Sequence, residues 1–329
     1  METTYDKILR LFSSLSKEEK EDLRKLLRDR TTFSLDDLIE VKENKGIICP
    51  NCLKAEHIVR NGKRNQVQRY LCRNCGTSFT GLSVSFLSRT HKDFSTWKKY
   101  VRCLIDGFSL RKTAERCSIS VRTAFFWRHK LLDLLRMRMN RVKLSGIVEA
   151  DDTFLRVSFK GNKPVGREPY KRGTPASKPG LSREQIAISC AIDRNGKVYS
   201  KVSSRGRPTS IALKRAIGKR ISPNSVLCTD KDTAYRRFAR TKGLELIQLD
   251  NHETKGIYHI QHVNGYHSRL KAFIRKFKGV SCKYIENYLA WLNMVNERGL
   301  TLLQVLKAAV REDYDSSWLN IKDRPLMPV

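Results

Sequence analysis

The sequence predicts a multidomain chain. It runs from a helical N-terminus through a small cysteine-bearing β-module and a helix-turn-helix into an α/β domain with a mixed sheet. Three observations carry this reading: two C-x2-C pairs within residues 49–75, serine-capped helical periods over residues 94–144, and strand-like runs interleaved with helices from residue 145 onward. The boundaries drawn from them are 1–45, 46–82, 90–142, 143–300 and, for a last helix and tail, 301–329.

A length of 329 residues suits two or three units able to bury a core. The 65 Lys and Arg against 33 Asp and Glu leave a formal charge of +32, which points to an anionic partner such as nucleic acid. A hydrophobic content of 40% argues against wholesale disorder. The longest strongly apolar run, IAISCAI from Ile186, falls far short of the ~18 residues of a membrane span, so no membrane partner is expected. The opening METTYDKILRLF and its continuation are acidic as well as basic, unlike a secretory signal, and nine cysteines fit a reducing cytoplasmic compartment.

Residues 1–45 read as two short charged helices, the second opened by Ser34 ahead of LDDLIEV, where a serine oxygen caps free backbone donors. The helical period then disappears in CPNCLKAEHIVRNGKRNQVQRYLCRNCGTSFT. Cys49, Cys52, Cys72 and Cys75 give C-x2-C, nineteen intervening residues and C-x2-C, a spacing that brings four thiolates to one structural Zn²⁺ from two knuckle turns. Pro50, Asn51, Asn74 and Gly76 supply the turn chemistry, and the basic residues between the pairs suit phosphate contacts. Cys103, Cys117, Cys190, Cys228 and Cys282 lie in apolar patterns and read as core.

Helical spacing returns at Trp97, Val101, Leu104, Ile105 and Phe108. Ser109 then caps LRKTAERC, a tight SIS turn follows, and VRTAFFWRHKLLDLL resumes as a longer helix, which is a helix-turn-helix pattern. Ser120, Arg122 and Thr123 are expected to face a major groove, with Arg128, His129 and Lys130 nearer the DNA backbone. Phe125, Phe126 and Trp127 read as aromatic core.

In the α/β region, strands IVEADDTFL, QIAISCAID and KVYSKVSS precede helix, strand SVLCTD, helix, strand LELIQL and a long helix from about Val263. Residues 156–183 interrupt the first two strands with eight Lys or Arg and one acid, a basic loop whose Lys160, Lys171 and Arg172 are expected to touch DNA. Within so basic a region, Asp151 and Asp230 follow apolar strand residues, where a carboxylate is costly unless a cation compensates it. Two such aspartates on adjacent strands suit Mg²⁺ or Mn²⁺, which clamp the oxygens of a phosphodiester undergoing displacement.

A third ligand is expected from the helix beside these strands. In VNGYHSRLKAFIRKF, residues Asn264, His267 and Lys271 share one ~60° sector at about 100° per residue, while Leu270, Phe273, Ile274 and Phe277 serve a core. Asn264 offers a neutral oxygen to a metal, Lys271 a cation to a phosphate, and His267, softer than Mg²⁺ prefers, belongs beside the site. His259 and His262 read as surface or loop histidines.

These residues carry a resemblance. The paired cysteines, the helix-turn-helix, VEADDTF with SFKG, LCTDKDTAY, and HIQHVNGYHSRLKAFIRKFKGVSCKYIENYLAW resemble bacterial insertion-sequence transposases of family fifteen-ninety-five over residues 46–295. The resemblance implies an RNase H-like catalytic domain of the DDE class with Asp151, Asp230, Asn264 and Lys271 at the catalytic positions. The family usually has Glu after the first aspartate, where Asp152 stands here, which leaves open whether Asp151 or Asp152 binds metal. Strand parity, with Val148 and Ala150 opposite Glu149 and Asp151, favours Asp151. The function implied is recognition of terminal inverted repeats, metal-dependent phosphodiester cleavage and strand transfer into target DNA, by a homo-oligomer on DNA in the bacterial nucleoid. A non-catalytic DNA-binding regulator, or an inactive transposase remnant, would keep the first modules, but a pure binder has no need of the metal constellation.

Overall fold

The chain divides into two compact units, residues 1–102 with 301–311 and residues 103–300 with 312–329. The computed structural model describes residues 4–20, 34–44, 46–64, 67–83, 85–88, 90–161, 177–250, 253–296, 302–311 and 321–326. No helix among the described residues is long and apolar enough to cross a membrane.

The first unit opens with α1 (Thr4–Ser14) and α2 (Leu35–Glu43). Ser34 caps α2 as the sequence suggests: its oxygen accepts from the Asp37 amide, and the Asp37 carboxylate accepts from the Ser34 amide in return. The β-module consists of β1 (Ile58–Arg64), β2 (Val67–Cys72) and β3 (Ser78–Thr80), antiparallel throughout. Its two cysteine turns repeat one geometry. The Leu53 and Gly76 amides donate back to the Cys49 and Cys72 carbonyls, and the Cys49 and Cys72 amides donate forward to Lys54 and Thr77. Both turns end left-handed, with φ of 59° at Leu53 and 70° at Gly76, so the first turn holds a leucine where glycine fits without strain. Tyr70 and Phe79 pack on buried Cys49 and Cys72, and the Tyr70 hydroxyl donates to Glu43 at the end of α2. The last helix, α10 (Leu302–Arg311), packs on α2.

Helix α3 (Phe94–Ile105) leads into the second unit. There α4 (Leu110–Arg116) and α5 (Val121–Met139) form the expected helix pair, each capped by the serine before it, Ser109 and Ser120. The turn between them reverses at Ser118, with φ of 48°. Trp127 is buried, whereas Phe125 and Phe126 are half-buried.

One expectation fails on α5. Arg128, His129 and Lys130 do not face DNA: they are 1%, 0% and 2% exposed. Helix α9 (Ile285–Asn296) packs along α5 and covers them. Arg128 donates to the Phe108 carbonyl at 2.7 Å and lies over the Trp291 ring. His129 meets the Asn287 amide at 3.1 Å and stacks on Tyr284, and burial holds it neutral. The Arg128 charge is tolerated because the Phe108 carbonyl and the Trp291 ring come to it from other segments, while the Lys130 ammonium lies over the Phe126 ring one turn earlier.

The sheet has the order β6-β5-β4-β7-β8, with β4 (Ile147–Arg156), β5 (Gln185–Asp193), β6 (Val198–Arg205), β7 (Val226–Thr229) and β8 (Glu245–Gln248). The first three strands pair antiparallel, and β4, β7 and β8 pair parallel, giving the mixed sheet expected of an RNase H-like domain. The parallel pairs need crossovers, supplied by α6 (Ser210–Ala216) and α7 (Thr233–Lys242). These cover one face, where Val148, Ala150, Leu213, Leu227, Tyr235 and Phe238 form a core. Helix α8 (Gln261–Lys276) contacts β4 and β5, and its Tyr266 hydroxyl is fixed by Ser200 on β6 and Asn293 on α9.

Arg128→Ala removes a packed stem and strips the Phe108 carbonyl of its donor. It is expected to lower the stability of the protein by roughly 2–4 kcal/mol in urea melts, with DNA affinity of the remaining folded protein unchanged. Unaltered melting with weakened DNA binding would return Arg128 to the DNA surface.

Candidate active site

Parallel pairing brings the two predicted aspartates together. Glu149 on β4 lies opposite Cys228 on β7, so continuing this register sets Asp151 beside Asp230, which directly follows the end of β7. Neighbouring strands lie about 4.8 Å apart, close enough for both carboxylates to serve one site at the carboxyl ends of the parallel strands. Their environment is hostile to charge. Burial, reinforced by Asp230, Asp152 and Asp232, pushes the Asp151 carboxyl up to about 7. Asp152 rises to about 6, and Asp230 is raised as well, both mainly through burial.

Asp151 and Asp152 point to opposite faces of β4. Asp152 belongs with Val148 and Ala150 on the α7 side, where Ser189 of β5 donates to it and Tyr235 of α7 faces it. Asp151 belongs with Glu149 and faces α8: His267 Nδ1 is 3.7 Å from its Oδ2. The parity argument is thus met by the observed packing. Asp232, the cap of α7, adds a further carboxylate and is paired with Arg207 at 3.5 Å.

On α8, His267 is buried while Asn264 and Lys271 are exposed, one turn to either side along the same face. Burial first, and then Lys271, push the His267 imidazole down to about 4, so it is neutral at pH 7. Its Nε2 is buried without a hydrogen-bond partner. Nothing in this geometry favours a soft or anionic third ligand. The available groups are a neutral amide oxygen at Asn264, a neutral imidazole and an ammonium.

Sequence reasoning missed a second constellation beneath the same helix. Glu149, 1% exposed, accepts from the backbone amides of His262 at 2.8 Å and Val263 at 3.1 Å, and pairs with Arg194 from the β5–β6 turn. His259 and His262, read as surface residues, flank this carboxylate at 3.3 and 2.7 Å. The ligand atoms of Glu149, His259 and His262 lie within 4.8 Å of one another, a spacing compatible with a metal ion. Arg194 Nη1 nevertheless reaches all three, so the guanidinium already supplies the cation. The available signal was Glu149 itself, a third acid in an apolar strand.

In the first unit the four cysteine sulfurs converge. Cys49 and Cys75 are 3.5 Å apart and Cys52 and Cys72 3.6 Å apart. A tetrahedral ion with bonds of about 2.3 Å sets sulfurs roughly 3.8 Å apart, so the donor set fits zinc. The other five cysteines are buried, as expected.

The expected DNA-binding residues divide. Arg122 is exposed at the start of α5, and Thr123 is half-buried with its hydroxyl 2.9 Å from Ser120 within the cap. Lys160 departs from the expectation of a free loop cation: its ammonium donates to the Phe277, Lys278 and Gly279 carbonyls at 3.1–3.2 Å and so caps the C-terminal end of α8. Lys171 and Arg172 lie outside the described residues.

Comparison with known proteins places this geometry. Residues 143–293, which contain all of the sheet, all of α8 and most of α9, match the family model of the ISXO2-like transposase domain. A protein in transposable element ISH50 of Halobacterium salinarum is 22% identical over 264 residues, covering 77% of this chain and 86% of the relative. Solved structures of the Mos1 pre-cleavage transpososome and strand transfer complex align at 13% and 14% identity. They cover 69% and 64% of this chain and 82% and 77% of theirs, with TM-scores of 0.21 and 0.22. Over residues 143–293 the chain is thus similar to the ISXO2-like transposase domain of the IS1595 type.

Proposed function

We propose that this chain binds the terminal inverted repeats of its element, hydrolyses a phosphodiester there, and joins the freed 3′ hydroxyl to target DNA. The observation that carries the reading is the pair Asp151 and Asp230, set side by side by strand register below the polar face of α8. Half-buried carboxylates that repel one another are a hard-oxygen donor set wanting a cation, and with the Asn264 oxygen they suit Mg²⁺ or Mn²⁺. Such ions supply Lewis acidity to a phosphodiester and stabilise the attacking and leaving oxygens. Lys271 holds a phosphate oxygen by charge, and His267, kept neutral, packs against Asp151 without adding a positive charge that would compete with the ions. Zinc held by Cys49, Cys52, Cys72 and Cys75 is structural, because all four positions are filled by protein. Arg122 reads base edges at the start of α5, and the protein acts as a homo-oligomer on double-stranded DNA.

Three outcomes test this reading. Metal analysis of the purified chain is expected to find one zinc per chain, and Cys72→Ser should lose it and unfold residues 46–82; a zinc-free protein with that segment intact would end the assignment. DNA binding should weaken steeply with salt, and Arg122→Ala should cost ~1–3 kcal/mol on the element's ends while sparing random duplex. Equal loss on both DNAs would remove Arg122 from the reading surface.

The third outcome links pH to metal. A carboxyl raised from the ordinary range near 4 to about 7 is fully stabilising only below about 4, and that stability is lost as pH rises through 7. Without added divalent ions, Asp151→Asn should therefore raise the melting temperature at pH 8 and change it little at pH 4. Mn²⁺ should stabilise the wild type at pH 8 and not the variant. A lower melting temperature for Asp151→Asn at pH 8 would contradict the buried-repulsion account. In strand transfer, Asp151→Ala, Asp230→Ala and Asn264→Ala should abolish or cripple joining while end binding persists, and a silent Asn264→Ala beside a lethal His267→Ala would move the third ligand to His267.

A further inference from the structure

Ile260, the residue before helix α8, has no side chain able to cap it; His259 Nδ1 accepts from the Gln261 amide at 3.3 Å, and the next amides take their acceptor from elsewhere. The first amides of a helix need acceptors, and a carboxylate there also meets the positive end of the helix dipole. Glu149 fills that role from outside the helix, accepting from His262 and Val263. It sits two residues before Asp151 on the same strand.

The spacing gives this contact its consequence. Two residues of strand advance about 6.7 Å. From the capped amides to His267, which meets Asp151, the helix advances four or five residues, about 6–7.5 Å. The two contacts therefore set helix and strand side by side in one register, with Asn264 between them. Arg194 braces the carboxylate from the next turn and donates to the Ile257 carbonyl just before α8. The far end of the helix is gripped by Lys160, which follows β4 in the chain. The segment that carries Asp151 thus holds α8 at both ends.

We propose that Glu149 is a positioning residue: by capping α8 it sets which turn of that helix stands over Asp151, and with it the reach of Asn264 and Lys271 into the metal site. This rests on the functional reading above, so the test separates the two. It uses the full zinc-bound chain and three variants, Glu149→Gln, Glu149→Asp and Glu149→Ala. The measurements are amide hydrogen exchange at residues 262 and 263 without added Mn²⁺, Mn²⁺ titration well below the lowest melting temperature, and cleavage of end DNA.

Glu149→Ala should raise exchange at residues 262 and 263 by about tenfold, as the loss of a helix cap does, and weaken Mn²⁺ binding by a similar factor. Glu149→Gln keeps an acceptor oxygen at the same reach and should restore Mn²⁺ affinity to within about threefold of wild type. Glu149→Asp keeps the charge but withdraws it from the helix, and should fall between them, which carries the test if the alanine variant does not fold. Wild-type Mn²⁺ affinity in the aspartate or alanine variant overturns the proposal. So does a glutamine variant as impaired as alanine, since charge rather than the cap would then be the active feature. A wild-type chain that binds Mn²⁺ no better than Asp151→Asn would defeat the functional reading instead, and the exchange comparison would still decide whether Glu149 sets the first turn of α8.

Discussion

A central strand that carries acids at positions 149, 151 and 152 must find a partner for each, because carboxylates do not stay buried and charged without one. Most of the second unit answers that constraint. Glu149 receives two helix amides and a guanidinium. Asp152 receives the Ser189 hydroxyl on the opposite face. Asp151 receives the Asp152 backbone amide at 2.7 Å and faces an imidazole at 3.7 Å that burial keeps neutral, beside an Asp230 that repels it. This carboxyl, raised to about 7, is the one the transposase resemblance puts first among the catalytic positions.

The same strand shows how fold and chemistry divide the work. Alternation sends Val148, Ala150 and Asp152 toward α6 and α7, and Glu149 and Asp151 toward α8. One-residue slippage would exchange these sets and place apolar side chains in the site and two acids in the core, which the nine-residue pairing with β5 from Val148–Asp193 to Arg156–Gln185 prevents. The placement of Asp151 therefore depends on register, and register depends on a long antiparallel partner.

What the sequence revealed was local. Cys49, Cys52, Cys72 and Cys75 were legible because ligand spacing within a knuckle is a property of a few residues, and Ser34 and Ser109 because a cap is made within three. Asp151 and Asp230 were legible as anomalies, though only pairing of β4 with β7 makes them neighbours. The failures have one cause. Arg128, His129 and Lys130 look like an exposed basic face until α9, more than 150 residues later, supplies Asn287 and Trp291. Lys160 sits in a basic run that reads as solvated, yet its partners are carbonyls at 277–279. Glu149, Arg194, His259 and His262 meet across separations of 45–113 residues, which no window of sequence displays.

The departure at Asp152 can now be weighed physically. Related transposases usually carry Glu after the first aspartate, and that position faces away from α8 here, into a pocket formed by Ser189 and Tyr235. An aspartate is one methylene shorter, and in this chain its carboxyl is engaged by the Ser189 hydroxyl of the adjacent strand. The substitution therefore bears on the packing between β4, β5 and α7 rather than on the face toward α8. Its electrostatic reach is another matter: Asp152 still raises Asp151 from across the strand, so the identity of this residue tunes how strongly Asp151 resists ionising without a cation. A side chain on the core face thus bears on the cation demand of the face opposite, through charge and not through contact.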